Sequence, residues 1–299
     1  MTTQILDGKI ISKEVREELK KDIIELKSSG IIPGLGVLLV GDDPASRSYV
    51  TAKEKACEDV GIYSSEIRLP SNASRDEILD VVHQFNGNEK IHGILVQLPL
   101  PDGTMEQEVI DTLSPEKDVD GFHPINIGRM ALGLSAFLSC TPHGILHMLK
   151  RSGLSTNGAH VVVVGRSHIV GRPLATMLSQ KNELGNATVT MCHTGTKNLA
   201  RFTREADIVI AAIGRANTIT AEMVSDGVVI IDVGVNRVED ATAKRGYRLV
   251  GDVDFEAIKP KAKAISPVPG GVGPMTITML LYNTVESAKN HLSSGRSLE

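Results

Sequence analysis

Apolar and polar positions repeat along this chain with two different periods, and the alternation between them predicts its elements. Over residues 9–28, Ile11, Val15, Leu19, Ile23 and Leu26 recur at three- and four-residue spacing, which gathers them on one face of a helix. Residues 35–40 form a short continuous apolar run, the pattern of a strand covered on both faces. A helix over 44–60, a strand over 62–69, a helix over 75–85 and a strand over 91–97 follow. After Ser139 the rhythm restarts. A helix is expected over 141–150, with Thr141 as its N-cap and Pro142 in the first turn. Compact β-branched strands are expected at 161–164, 188–191, 208–211 and 228–232, separated by stretches long enough for crossover helices. An apolar run over 275–285 reads as a further helix. Strands and helices in alternation favour an α/β chain built on parallel sheets.

Composition narrows the class. At 299 residues, about two domains are expected. Apolar residues make up 41% and charged residues 23%, the balance of a globular protein. A net charge of −4 with no long basic run argues against a nucleic-acid partner. No apolar run approaches the roughly 20 residues that span a bilayer, and the start has no signal-peptide pattern. Cys57, Cys140 and Cys192 are few and scattered, as expected of a reducing, cytoplasmic compartment. No repeat or low-complexity tract interrupts the chain, and the polar tail from Ser293 is expected to be loose.

Four segments carry candidate chemistry. The first is Ser266-Pro-Val-Pro-Gly-Gly-Val-Gly-Pro-Met-Thr276, in which six of eleven residues are Gly or Pro. Such a loop is specified for its backbone path, and Gly270 and Gly271 would let a flat ligand lie against main chain. The same composition also suits an ordinary interdomain turn.

The second is Val161-Val-Val-Val-Gly-Arg-Ser-His-Ile-Val-Gly171, which reads as strand, tight turn and helix. Gly165 can make the turn, Gly171 permits close helix–strand packing, and the amides at the helix start face an anion such as a pyrophosphate. Ser167 occupies the second position of the GxGxxG pattern and the third glycine is displaced, so a purely structural βα turn remains the alternative. The following strand ends in Met191-Cys-His-Thr-Gly-Thr-Lys197, without the acidic residue that holds the ribose hydroxyls of NAD. Arg166 and Lys197 lie close by instead, which favours NADP.

The third places Tyr49 and Lys53 one helical turn apart, on the same face of a helix. A lysine serves as an acid–base group when burial and neighbours tune it, but a solvated helix face gives the same spacing. Gln97 closes a strand just before Leu98-Pro-Leu-Pro101, at a carboxyl end where ligands gather. The fourth, Lys117-Asp-Val-Asp-Gly121, presents Asp118 and Asp120 in a turn. One buried carboxylate there would suit an amino-pyrimidine edge, and an Asx turn closed by Gly121 is the other reading. His143 and His147 have i, i+4 spacing beside Cys140 but lack the carboxylate of an HExxH site, so no metal is expected.

Together these motifs resemble the bifunctional methylenetetrahydrofolate dehydrogenase/methenyltetrahydrofolate cyclohydrolase family over essentially the whole chain. The resemblance rests on Tyr49-Val-Thr-Ala-Lys53 with Gly61-Ile62, on Gln97-Leu-Pro-Leu-Pro101, on residues 115–121 and on residues 267–276, with Gly165-Arg-Ser167 and Asp232-Val-Gly-Val-Asn236 completing it. It implies two α/β domains flanking a cleft, the C-terminal one a Rossmann-like doubly wound parallel sheet. The implied boundaries are 1–140, completed by a helix at 276–299, and 141–275. It further implies tetrahydrofolate derivatives as substrates, NADP as cofactor and a homodimer. Lys53 would be the general acid–base of the cyclohydrolase step, Tyr49 would position the folate, and Gln97 would hold Lys53. Asp120 would anchor the pterin, with Gly270 and Gly271 lining the folate cleft. Gly165, Arg166, Ser167 and Thr194 would contact the ribose phosphate side of the cofactor, and backbone near Val235 the nicotinamide. A dehydrogenase-only relative and a nucleotide sensor without turnover are the competing expectations. An unrelated amino-acid dehydrogenase leaves the Pro-Gly loop unexplained.

Overall fold

The computed structural model describes residues 2–243 and 246–293, so the tail expected to be loose lies outside the described residues beyond Ser293. The chain begins β1 (Gln4–Ile5), α1 (Gly8–Ser28), β2 (Gly34–Val40), α2 (Pro44–Val60), β3 (Tyr63–Leu69), α3 (Arg75–Gly87), β4 (Gly93–Val96), α4 (Glu106–Thr112), α5 (Pro124–Ala131) and α6 (Cys140–Arg151). It continues β5 (His160–Val164), α7 (Gly171–Ser179), β6 (Thr188–Cys192), α8 (Leu199–Arg204), β7 (Ile208–Ala211), β8 (Val229–Asp232), β9 (Asn236–Glu239), β10 (Tyr247–Val250), α9 (Phe255–Ile258), β11 (Ala264–Ile265) and α10 (Val272–Ser293). Two compact units result, one of Lys13–Cys140 with Ile277–Glu299, the other of Met1–Ser12 with Thr141–Thr276.

In the first unit, β3, β2 and β4 form a parallel sheet in that order. The central strand β2 is buried at every position, which is why its sequence is apolar without alternation. Gly36 on β2 faces the Phe85 ring, whose atoms would lie 3.0 Å from an added Cβ. Helix α2 starts where Asp43 accepts the Ser46 amide at 2.8 Å and ends at Gly61, whose φ of +89° suits glycine. Helix α3 carries a reciprocal capping box between Ser74 and Glu77. Leu38, Val82, Phe85, Ile94 and Val109 form the core between sheet and helices. The α10 residues of this unit complete it: Asn283 donates to the carbonyls of Val119 (2.8 Å) and Leu138 (3.0 Å), and Ser287 to those of His92 and Glu116.

The second unit is built on six parallel strands in the order β1-β11-β8-β7-β5-β6. This is the doubly wound sheet that the sequence led us to expect. The chain moves outward from β5 to β6, then returns to the other side of β5 as β7, so the order reverses between β5 and β7. Val162, Val209 and Ile230 sit at the centre of its core.

Three expectations change. Residues 2–12 belong with the second unit, because β1 pairs with β11 through Gln4↔Ala264 and Ile5↔Ile265. Helix α6 already begins at Cys140, so Thr141 lies inside its first turn, where its hydroxyl meets that of Thr276 at 2.9 Å, rather than capping it. Helix α10 begins at Val272 and runs well beyond 285, so the Pro-Gly loop is shorter than its composition suggested.

Candidate active site

In the first unit, α2 and the end of β4 bring Lys53 and Gln97 together. Val50, Ala56, Cys57 and Val60 anchor α2 to the core, and Lys53 shares that inward side with 8% of its surface exposed. Its Nζ donates to Gln97 Oε1 at 3.1 Å. The Gln97 Nε2 donates to the Leu98 carbonyl at 2.7 Å, which turns the amide oxygen toward the lysine. The Gln97 main chain still pairs with the sheet, its amide donating to the Leu38 carbonyl, so the side chain leaves from the carboxyl end of β4. Tyr49 lies one turn before Lys53 and is 45% exposed, open to a ligand. Cys57, one turn after Lys53, is pushed up to about 12 by burial and by the Glu54 charge, so it stays a thiol.

The two aspartates of the 117–121 turn have separated tasks. Asp118 is buried and accepts from the amides of Phe122 (3.2 Å) and His123 (2.8 Å) and from Asn126 Nδ2 (2.9 Å). A parallel bridge to Ile94 ties it to the sheet. Gly121 has φ +71° and its missing side chain makes room for the Leu138–Ser139 backbone, 2.7 Å from where a Cβ would stand. Asp120 is thereby held at the tip of a rigid turn. Burial pushes its carboxyl up to about 6, against the Lys53 charge, with Asp118 raising it further and the Cys140 thiol lowering it. Cys140 donates to the Val119 carbonyl at 3.3 Å and is itself raised well above its usual range by burial and by Asp120. The roles of Asp118, Asn126, Cys140 and Asn283 were not legible in the sequence, because apart from the Asp118–Asn126 pair the partners named for them are main-chain atoms with no residue signature.

In the second unit, the turn after β5 is tight. Gly165 has φ +139°, and an added Cβ would lie 2.2 Å from the Ala212 carbonyl oxygen, while one on Gly171 would lie 2.2 Å from that of Gly165. The Ser167 hydroxyl accepts the amides of Val170 (3.2 Å) and Gly171 (3.3 Å). Two amides expected to meet a pyrophosphate are thus satisfied within the turn. Arg166, Ser167, Thr194 and Lys197 are exposed at the carboxyl ends of β5 and β6, and no acidic side chain stands among residues 193–197. Thr194 rides a loop closed by Thr196 Oγ1, which accepts the His193 amide at 2.9 Å. Val235, just past β8, is 53% exposed.

The Pro-Gly loop acquires a packing reason. The Gly271 carbonyl presses on Gly8, where a Cβ would stand 1.7 Å from its oxygen, and a Cβ on Gly271 would meet the Pro267 carbonyl at 2.5 Å. Gly270 has φ +106°. His143 and His147 meet at 3.1 Å through their Nε2 atoms, and burial beside His147 lowers His143 to about 3. Among the described residues no group of three or more His, Cys, Asp or Glu stands ready for a metal. A cavity of about 330 Å³ opens at the opposite, amino-terminal ends of β7 and β8, beside Asp207, Asp226 and Lys263, away from these loops.

A six-stranded doubly wound sheet with a glycine turn at its order reversal defines a Rossmann-type nucleotide-binding unit, coupled in one chain to a second α/β unit carrying a buried lysine. The family comparisons then fix the assignment. The tetrahydrofolate dehydrogenase/cyclohydrolase NAD(P)-binding domain matches residues 139–292, and the catalytic domain of the same family matches residues 6–120. The chain belongs to this family. It is 53% identical to the bifunctional protein FolD of Bacillus velezensis, over 98% of this chain and 100% of that one. It is similar to the crystal structure of the bifunctional FolD of Campylobacter jejuni at 49% identity and a TM-score of 0.91, covering 97% of this chain and 100% of that one. The Trypanosoma brucei FolD, solved with NADP and an inhibitor, gives 35% identity and a TM-score of 0.92, over 99% of this chain and 100% of that one.

Proposed function

We propose that this chain oxidises methylenetetrahydrofolate to methenyltetrahydrofolate with NADP and then hydrolyses the product to formyltetrahydrofolate, with Lys53 as general acid–base of the second step. The observation that carries the residue assignment is the buried Lys53 Nζ held 3.1 Å from Gln97 Oε1. Membership of the family through both of its domains supports the enzyme, rather than the nucleotide sensor, and the two-activity reading over a dehydrogenase alone.

Water adds to the methenyl carbon, and the carbon–nitrogen bond on one side of the bridge then breaks to leave a formyl group. Lys53 takes the proton from the attacking water and passes it to the departing nitrogen. The hydroxyl proton of the tetrahedral adduct leaves to solvent as the formyl carbonyl forms, so the cationic methenyl substrate releases one proton overall and none is left on the side chain. Gln97 keeps the Nζ in place without adding charge. Tyr49 positions the folate and assists Lys53, and Asp120 accepts hydrogen bonds from the amino-pyrimidine edge of the pterin. Gly270 and Gly271 give the folate a surface without side chains.

NADP, when bound, accepts the hydride that the folate nitrogen lone pair expels, so this step asks the chain for placement rather than acid–base chemistry. The residues of the second unit fit the phosphorylated cofactor: Arg166 and Lys197 supply cations, and residues 193–197 offer no carboxylate for an unmodified ribose. Gly165, Arg166, Ser167 and Thr194 would hold its ribose phosphate side, and the Val235 backbone would lie beside the nicotinamide. The folate half is then 13–140 with 277–293, and the nucleotide half 141–276 with 2–12. A homodimer in the cytoplasm is part of the same reading, supported by the family relation and by three cysteines that are all free and buried. Light scattering of the purified protein at twice the chain mass tests the dimer.

A time-resolved absorbance scan with methylenetetrahydrofolate and either nucleotide tests the function. Reduced nicotinamide with little methenyl intermediate is expected, faster with NADP. Stoichiometric methenyl accumulation would leave a dehydrogenase alone. No reduction by folded protein would overturn the reading.

A further inference from the structure

Two buried carboxylates stand at the carboxyl ends of the second unit's sheet, and the chemistry proposed above uses neither. Asp252, fully buried, accepts three consecutive main-chain amides: Ile213 (2.6 Å), Gly214 (2.9 Å) and Arg215 (3.0 Å). Its Oδ1 also accepts Asn236 Nδ2 at 2.9 Å. Asp232, the last residue of β8, accepts the amides of Gly234 (3.2 Å), Asp252 (2.9 Å) and Val253 (3.1 Å). Two glycines make the interlock possible. A Cβ on Gly234 would stand 2.0 Å from Asp252 Oδ1, and one on Gly251 would stand 1.7 Å from Asp232 Oδ2.

The turn held by Asp252 follows β7, on one side of the β5/β7 reversal where open parallel sheets bind nucleotides. On the other side is the Gly165 turn, pressed against the Ala212 carbonyl. Asn236 follows Val235, so the same carboxylate also ties down the loop after β8. A cradle of successive amides of this kind is a ready anion site, and here the protein fills it with its own carboxylate. The amides are therefore committed to fixing the turn, not to binding phosphate.

We propose that Asp252 is a positioning residue for hydride transfer, its carboxylate holding the loops after β7 and β8 in the register on which the nicotinamide end of the cofactor docks. The proposal rests on the functional reading above. It separates the two activities, since the lysine chemistry belongs to the other unit. Asp252→Asn keeps the shape but turns an amide NH₂ toward amide donors. It is expected to lower kcat/KM for NADP in methylenetetrahydrofolate oxidation by about tenfold or more, the loss corresponding to charge-assisted hydrogen bonds. Ring opening of methenyltetrahydrofolate supplied directly, without nucleotide, is expected to stay within about twofold, since a change of this kind acts on its own neighbours. Gly214→Ala is the second variant: Gly214 has φ +74° with open space around a Cβ, so the change strains the turn alone and leaves Asp252 in place. The same selective loss is expected, smaller in size. Unchanged NADP kinetics in both folded variants, or equal loss of the two activities, would overturn the role of Asp252. If Asp252→Asn does not fold, Gly214→Ala alone decides by the same two outcomes. Wild-type protein that transfers no hydride would instead refute the functional reading.

Discussion

Lys53 illustrates how much one side chain's surroundings decide. Its spacing from Tyr49 is an ordinary helical interval, and what sets it apart is burial together with the Gln97 oxygen fixed by the Leu98 carbonyl. Lys53→Met keeps the apolar stem and removes the amine, so cyclohydrolase activity is expected to vanish while NADP binding, followed by titration calorimetry, persists. Asp120 gives a prediction in pH. Its folded carboxyl titrates at about 6, above the ordinary 3.8, so it is an acceptor above that pH and an acid below it. The folate KM is therefore expected to rise as pH falls through about 6, and a flat profile would remove Asp120 from pterin binding. The sign for stability follows from the same shift. Between about pH 4 and 6 the folded state holds a proton that the unfolded chain releases, so the wild type loses stability as pH rises through this window. Asp120→Asn should gain about 2–3 kcal/mol over the wild type in urea denaturation between pH 4 and pH 7.5. The spacing of the turn offered Asp118 and Asp120 as equals and the family resemblance singled out Asp120, while the amides of Phe122 and His123 show that the fold consumes Asp118.

Elements were the most legible level. The five aliphatic residues of β2, the helical spacing of 9–28 and the β-branched runs at β5, β7 and β8 carry local signals strong enough to read directly. The short pieces were silent. Two-residue β1 and β11 have no period to detect, and the exposed β9–β10 hairpin buries no face that would impose one. The turn at Gly165 shows an element and a site coinciding. A side chain there would meet the Ala212 carbonyl at 2.2 Å and require φ +139°. Gly165→Ala is expected to move β5 and β7 apart, raising the NADP dissociation constant at least tenfold, about 1.4 kcal/mol, with folate binding kept. Unaltered nucleotide affinity would show that the turn does not set the site.

For the whole molecule, chain order and spatial order part company. The residues of α10 after 276 complete the unit begun at Lys13, and Asn283 closes it by bonding the Val119 and Leu138 carbonyls on either side of the Asp120 turn. Asn283→Ala takes the amide donor from both carbonyls and leaves that of Val119 only the Cys140 thiol, and a loss of about 2–3 kcal/mol is expected in equilibrium unfolding, with a weakened folate site. A change below about 0.5 kcal/mol would mean that solvent replaces the amide. The sequence by itself determined the α/β class, the family and the candidate residues, because hydrophobic period and glycine or proline punctuation are local properties. The tertiary structure alone decided that residues 2–12 join the second unit, that Asp118 serves the fold while Asp120 remains at the tip of its turn, and that Asp232 and Asp252 clamp the nucleotide-side loops. Those outcomes depend on main-chain amides and carbonyls brought together from distant positions, and every residue type supplies the same backbone groups, so no pattern of side chains could announce them.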